Sequence, residues 1–194
     1  GVYLKGIRIG AAWLLVAGLG VAISGDIQGK IMTEVQPMKM AAAEGLYETA
    51  SKAPFSVLTV GKLDGSEAKN IIEVPGLLSF LATGDFNGTV KGINPIEKQY
   101  QGKYVDNALT KSDSYTPVIP VTYWSFRFMM GLGFFAAAGA LLILLMTRKG
   151  KQPTAKWFGT MAILLPIAMV LGNSWGWMFT EMGRQPWVVF GYMT

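Results

Sequence analysis

The sequence contains no cysteine and no histidine. The first absence excludes disulfides, thiolate metal sites and cysteine nucleophiles. The second removes the commonest general base and the commonest metal-binding side chain. Charge is scarce as well, at 15% of 194 residues, where soluble domains carry about a quarter. Acidic residues are nearly missing outside one stretch: eleven of the twelve lie between Ser24 and Pro117, and the other is Glu181. There is no internal repeat, and the scattered glycines lack the strand-to-helix context of a phosphate-binding loop.

What remains is apolar. Hydrophobic residues make up 51% of the chain and the mean hydropathy is positive, which points to a membrane rather than to water. The expected fold class is an all-α integral membrane protein, a transmembrane helix bundle with a long extracytoplasmic loop of mixed helix, short strands and coil. The net charge of +5 is not a nucleic-acid surface, because it separates along the chain. Residues 24–117 hold nine lysines against eleven carboxylates. Lys5 and Arg8 precede the first apolar run, and Arg148, Lys149, Lys151 and Lys156 sit between the second and third. Basic loops stay in the cytoplasm, which puts the acidic loop and the Glu181 end outside. The chain opens on Gly1 with no signal-peptide pattern, and reads as part of a longer polypeptide.

In order, the expected segments are a transmembrane helix over 1–23, an extracytoplasmic loop over 24–117, a second span over 118–147, a cytoplasmic link over 148–156, a third span over 157–182 and an extracytoplasmic segment over 183–194. Ser24–Gly29 reads as the break that ends the first helix. Within the loop, Pro37 at a first-turn position and three alanines predict a helix starting near Gln36. Lys39 and Glu44, five apart, stand ~140° apart around such a helix, so a shared ligand would meet them only from its end or across a break; from these residues alone a plain solvated helix is the favoured reading. Residues 55–60 and 71–74 predict a hairpin around Asp64-Gly65, and the chain from Ala82 to Ser114 reads as irregular surface.

Two places within the apolar runs carry charge. Arg127 lies about two turns inside the second span and requires an anionic partner, Glu181 or a cofactor carboxylate. In the third span Asn173, Trp177, Glu181 and Arg184 fall on one helical stripe that cannot face lipid. Met129 and Met130 are packing residues by default.

Three motifs, Gln36-Pro-Met-Lys-Met-Ala-Ala-Ala-Glu44, Tyr123-Trp-Ser-Phe-Arg-Phe-Met129 and Glu181-Met-Gly-Arg-Gln-Pro-Trp187, together resemble the C-terminal half of subunit I of cytochrome bd, the quinol oxidase of bacterial and archaeal cell membranes. The resemblance covers nearly the whole chain and implies transmembrane helices six to eight, with the external quinol-binding Q-loop after the sixth. It implies that Lys39 and Glu44 bind and oxidise quinol, that Met129 ligates the iron of low-spin haem b, and that Arg127 stabilises the reduced form of that haem. It further implies Glu181 as ligand of high-spin haem b, Arg184 as its charge partner and Trp177 between the haems. Electrons would then pass from quinol through both b haems to haem d, where dioxygen becomes water and a proton motive force is generated. The histidine ligands of the family belong to its N-terminal half, so the implied partners are that half of subunit I, subunit II, small single-helix subunits, membrane quinol and lipid, with no nucleic acid. Read from the residues alone, the chain could instead be a non-enzymatic membrane anchor displaying an extracytoplasmic interaction domain. A solute carrier fits less well, since the first span lacks polar pore-lining residues.

Overall fold

The computed structural model describes residues 2–60, 69–151, 153–154 and 156–194. Three helices are long and apolar enough to cross a membrane: α1 (Val2–Val35), α5 (Ile119–Met146) and α6 (Lys156–Met182). Between α1 and α5 come α2 (Pro37–Glu44), β1 (Ala50–Ser51), β2 (Phe55–Val60), β3 (Lys69–Val74), α3 (Leu77–Thr83), β4 (Thr89–Val90) and α4 (Ile93–Tyr104). A short 3₁₀ turn over Arg148–Gly150 follows α5. The Asp64-Gly65 turn expected between β2 and β3 lies outside the described residues.

The chain divides into two compact units. The first comprises Gly1–Gly25 and Phe128–Gly176. Its core is built from small and branched side chains: Ala11 from α1, Ala136, Ala140 and Ile143 from α5, and Phe158, Leu165 and Ala168 from α6. Small residues let membrane helices approach closely, where packing has to replace the hydrophobic effect. Arg8 closes one end of this unit by donating from Nη1 to the Thr147 carbonyl at 3.0 Å, satisfying an oxygen that α5 leaves without an intrahelical partner.

The second unit comprises Asp26–Arg127 and Trp177–Thr194. Its core joins Met38, Ala41 and Ala42 of α2 to Ile93, Ile96 and Tyr100 of α4, and to Tyr115, Ile119, Tyr123 and Trp187. Tyr115 stacks on Trp187 with ring centres 5.3 Å apart. The C-terminal segment is tied down as well, with Thr194 donating its backbone N–H to the Leu109 carbonyl at 3.0 Å. The carboxylate of Glu97 accepts from the Tyr115 backbone and the Thr116 hydroxyl, which fixes the chain just ahead of α5. The sheets are minimal antiparallel pairs, β1 with β4 and β2 with β3, the latter in the register Phe55 opposite Val74.

Two expectations give way here. The break predicted at Ser24–Gly29 is absent, because α1 continues to Val35. Its polar turn is held by an Asp26–Lys30 ion pair of 2.7 Å at i, i+4 and by hydroxyls of Ser24 and Thr33 that bond back to the preceding turn. The helix stops instead at Gln36 (φ −132°, ψ 67°), since a residue before proline is pushed out of the α region. At 34 residues α1 is about 51 Å long by the ~1.5 Å rise per residue, well beyond the ~30 Å of a hydrocarbon core. The second departure is α4, which forms within the stretch read as irregular. Its Ile93, Ile96 and Tyr100 are all buried, an i, i+3, i+7 stripe that outweighs the polar composition around it.

The entry to α4 leaves no room for a side chain. Ile93 and Asn94 donate backbone N–H groups to the carbonyls of Leu46 and Tyr47, and a Cβ on Gly92 would overlap the backbone of Tyr47 and Glu48. Gly92→Val is therefore expected to cost about 1–3 kcal/mol and to lower the melting temperature of the purified complex while exposing the loop to protease. Unchanged melting and proteolysis would show that the two segments do not need this approach.

Candidate functional site

Helix α2 is short because proline opens it and glycine closes it. Pro37 occupies its first turn, and Gly45 follows in the left-handed conformation (φ 61°) that glycine adopts without strain. Ala41, Ala42 and Ala43 are fully buried, so the helix packs on all sides and its charged residues, Lys39 and Glu44, must each find a partner within the protein.

Glu44 finds Arg127. The carboxylate and guanidinium lie 2.7 Å apart, and both side chains are buried, at 2% and 7% exposure. Neither charge would tolerate this burial alone; losing one partner of such a pair costs about 3–5 kcal/mol. The guanidinium is further fixed by the backbone. Nη1 donates to the Ala43 carbonyl, and Nε and Nη2 donate to the Ser56 carbonyl at 3.2 and 2.6 Å. Its plane lies 3.8 Å from the centre of the Tyr123 ring, with Phe55 at 5.0 Å and Phe126 at 5.7 Å. The Ser56 and Tyr123 hydroxyls are 3.1 Å apart, which braces the ring that braces the arginine. Burial pushes the Glu44 carboxyl above the ordinary carboxylate range, and Arg127 works against that shift without cancelling it. The partner of Arg127 is thus Glu44 and not Glu181, the protein residue named from the sequence as its candidate.

Lys39 points elsewhere, as its five-residue spacing from Glu44 requires. Its Nζ donates to the Thr180 carbonyl at 3.3 Å and lies 5.1 Å from the centre of the Phe179 ring. Partial burial lowers its pKa, with Glu181 raising it and Arg184 lowering it further. Glu181 and Arg184 form their own pair, with Nη2 and Nε of the arginine both donating to Oε2, at 2.5 and 3.1 Å. Arg184 also donates to the Val188 carbonyl at 3.0 Å, folding the chain over just past the end of α6. Of the predicted stripe, Asn173 and Trp177 are exposed on this chain, Trp177 at 71%, while Glu181 and Arg184 are half-buried.

In the other unit Met129 is half-buried on α5, and a Cβ added at Gly176 would stand 2.9 Å from its sulfur. The thioether therefore rests against a position kept bare by glycine. Among the described residues no group of three or more His, Cys, Asp or Glu could hold a bare metal ion. A haem supplies its own equatorial nitrogens and takes only one or two donors from protein. Single residues such as the Met129 thioether, or the Oε1 of Glu181 left by Arg184, meet that requirement.

Sequence reasoning missed Ser56, Phe55 and Tyr123 as parts of the arginine cage. Tyr123 carries a legible signal, since it precedes Arg127 by four residues on one helix and must share its face. Ser56 carries none, as its contact with the arginine is a backbone carbonyl and its hydroxyl meets Tyr123 only through tertiary packing.

A family model described as cytochrome bd terminal oxidase subunit I matches residues 2–194. The cytochrome bd ubiquinol oxidase subunit 1 of Bacillus subtilis is 41% identical over 181 residues, covering 93% of this chain and 37% of that protein. The cytochrome bd-II ubiquinol oxidase subunit 1 of Escherichia coli is 27% identical over 241 residues, covering 97% of this chain and 46% of that protein. Among solved structures, the bd oxidase from Geobacillus thermodenitrificans superposes with a TM-score of 0.77 at 30% identity, over 98% of this chain and 40% of that one. The chain thus spans less than half the length of these relatives. With three membrane-length helices and a family match along essentially its entire length, the chain is a membrane protein belonging to the cytochrome bd terminal oxidase subunit I family.

Proposed function

We propose that this chain forms the quinol-oxidising and haem b-ligating part of a cytochrome bd-type quinol:dioxygen oxidoreductase, acting only together with the remainder of subunit I, subunit II and any small single-helix subunits. The observation that carries this reading is the buried Glu44–Arg127 pair, which sets a raised-pKa carboxylate at the end of α2 against an arginine two residues before Met129. Strongly shifted titratable groups in such settings are those suited to proton transfer. The b haems and haem d, when bound, supply one-electron transfer and the reduction of dioxygen to water.

The chain's own residues have distinct tasks. Glu44 accepts a quinol proton, and Arg127 keeps its carboxylate oriented while it waits. Met129 offers a neutral thioether to low-spin haem b, a ligand that favours the reduced iron of an early acceptor. Arg127, fixed by three backbone and side-chain acceptors, holds a positive charge near that ligand's helix position and so favours the same reduced state. Glu181 offers a carboxylate to high-spin haem b with Arg184 as its charge partner, and the exposed Trp177 takes part in packing around the haems. Lys5 and Arg8 before the first span and Arg148, Lys149 and Lys151 after the second support a cytoplasmic position for those ends and an extracytoplasmic one for the loop, from which quinol protons would be released outside.

In the intact complex, Glu44→Gln is expected to slow quinol oxidation by about 100-fold or more, while oxidation of an artificial one-electron donor stays near the wild-type rate. Equal losses with both donors would remove Glu44 as the proton acceptor. The same carboxylate sets a pH dependence. A base must be ionised to act, and burial raises the pKa of Glu44, so wild-type turnover with quinol should fall on acidification at a higher pH than an exposed glutamate would give. Glu44→Gln should lose that limb; its persistence would assign it to another group. Met129→Leu is expected to lower the midpoint potential of one b haem by on the order of 100 mV or to change its spin state, read by redox titration of the absorption bands. An unaltered spectrum and potential would exclude Met129 as ligand.

A further inference from the structure

The two charged residues of α2 serve different ends of the second unit. The Lys39 stem runs along the final turn of α6 and ends on the Thr180 carbonyl, with its ammonium over Phe179. Thr180 is two residues from the end of α6 at Met182, where a cation is favoured by the helix dipole. Gly183 follows directly. A Cβ at that position would stand 2.8 Å from the Phe179 carbonyl oxygen and 3.2 and 3.3 Å from Cγ and Cε of Lys39, so glycine lets the chain turn out of the helix and also leaves room for the lysine stem. Glu181 and Arg184 flank the same turn, near enough for their opposite charges both to act on Lys39. A lysine held in this way has its nitrogen engaged by the protein's own backbone and its stem packed against the protein's own chain.

We propose that Lys39 is a positioning residue that fastens the C-terminal turn of α6, and with it Glu181 and Arg184, to the loop helix α2. The fastening stands on its own geometry; only its relevance to a haem rests on the role given to Glu181 under the proposed function. The lysine stem adds to the Phe179 carbonyl as a reason for Gly183, in the middle of the Glu181-to-Trp187 motif, to lack a side chain.

The test uses the complete complex without added quinol, as wild type, Lys39→Met and Lys39→Arg. Hydrogen–deuterium exchange is read at Gly183, Gln185 and Trp187, whose amides donate to the carbonyls of Phe179, Met182 and Arg184. Lys39→Met, which keeps the stem but loses the donor, should exchange there roughly fivefold faster, as expected for one lost hydrogen bond. Lys39→Arg should restore the slow rate, and α4 should exchange as in wild type in all three, showing that the loop remains folded. Wild-type exchange in Lys39→Met, or loosening that Lys39→Arg fails to reverse, overturns the proposal; a raised KM for quinol alongside wild-type exchange would make Lys39 a quinol contact instead. The absorption of the b haems in the same samples separates the two readings. A loosened turn with an unmoved haem spectrum upholds the fastening and shows that its effect stops short of the haem.

Discussion

The second unit is organised around one buried charge, the guanidinium of Arg127. Arginine stays protonated in proteins, so the surrounding chain has to supply its counter-charge and acceptors. It does so from three directions: Glu44 and the Ala43 carbonyl at the end of α2, the Ser56 carbonyl in β2, and the Tyr123 ring one turn back on α5. These elements are far apart in sequence, and the cation adds a polar centre to the apolar core that already joins α2 to α5. The planar fork of the guanidinium reaches several acceptors at once, which the single ammonium of a lysine does not.

Around that centre, small residues set the distances. Three consecutive buried alanines bring α2 against its neighbours, and Gly92 lets the start of α4 press on the chain that leaves α2. Gly45 then ends the helix directly after Glu44. The carboxylate is thereby held at a helix terminus, within reach of Arg127, and not on a side of the helix open to solvent. The aromatic cluster of Tyr100, Tyr115 and Trp187 packs behind α2, so Lys39 and Glu44 project from a closely packed support.

Much of this was legible in the sequence. The length of the apolar runs marked out the three membrane-length helices. Pro37 and the alanine run marked α2, and the three motifs pointed to the family that the comparisons establish. The failures share a cause. Ser24–Gly29 was read by composition as a break, although its spacing permits the Asp26–Lys30 pair that carries α1 onward; α4 was hidden by polar residues that surround a buried stripe. The partner of Arg127 lies 83 residues away, and no local pattern announces a contact that only tertiary packing creates. The divergence of Lys39 from Glu44 followed from helical spacing, but its destination at the end of α6 did not.

The saturation of Arg127 bears on what happens when Glu44 changes charge. A protonated glutamic acid still presents a carbonyl oxygen that accepts from Nη2, and the arginine remains held by the Ala43 and Ser56 carbonyls and by the face of Tyr123. The Ala43 and Ser56 carbonyls and the face of Tyr123 therefore stay available to the guanidinium in either protonation state, while protonation of Glu44 removes its counter-charge. The neutral acceptors around the guanidinium are thus what would have to hold the buried cation whenever the carboxylate is neutral.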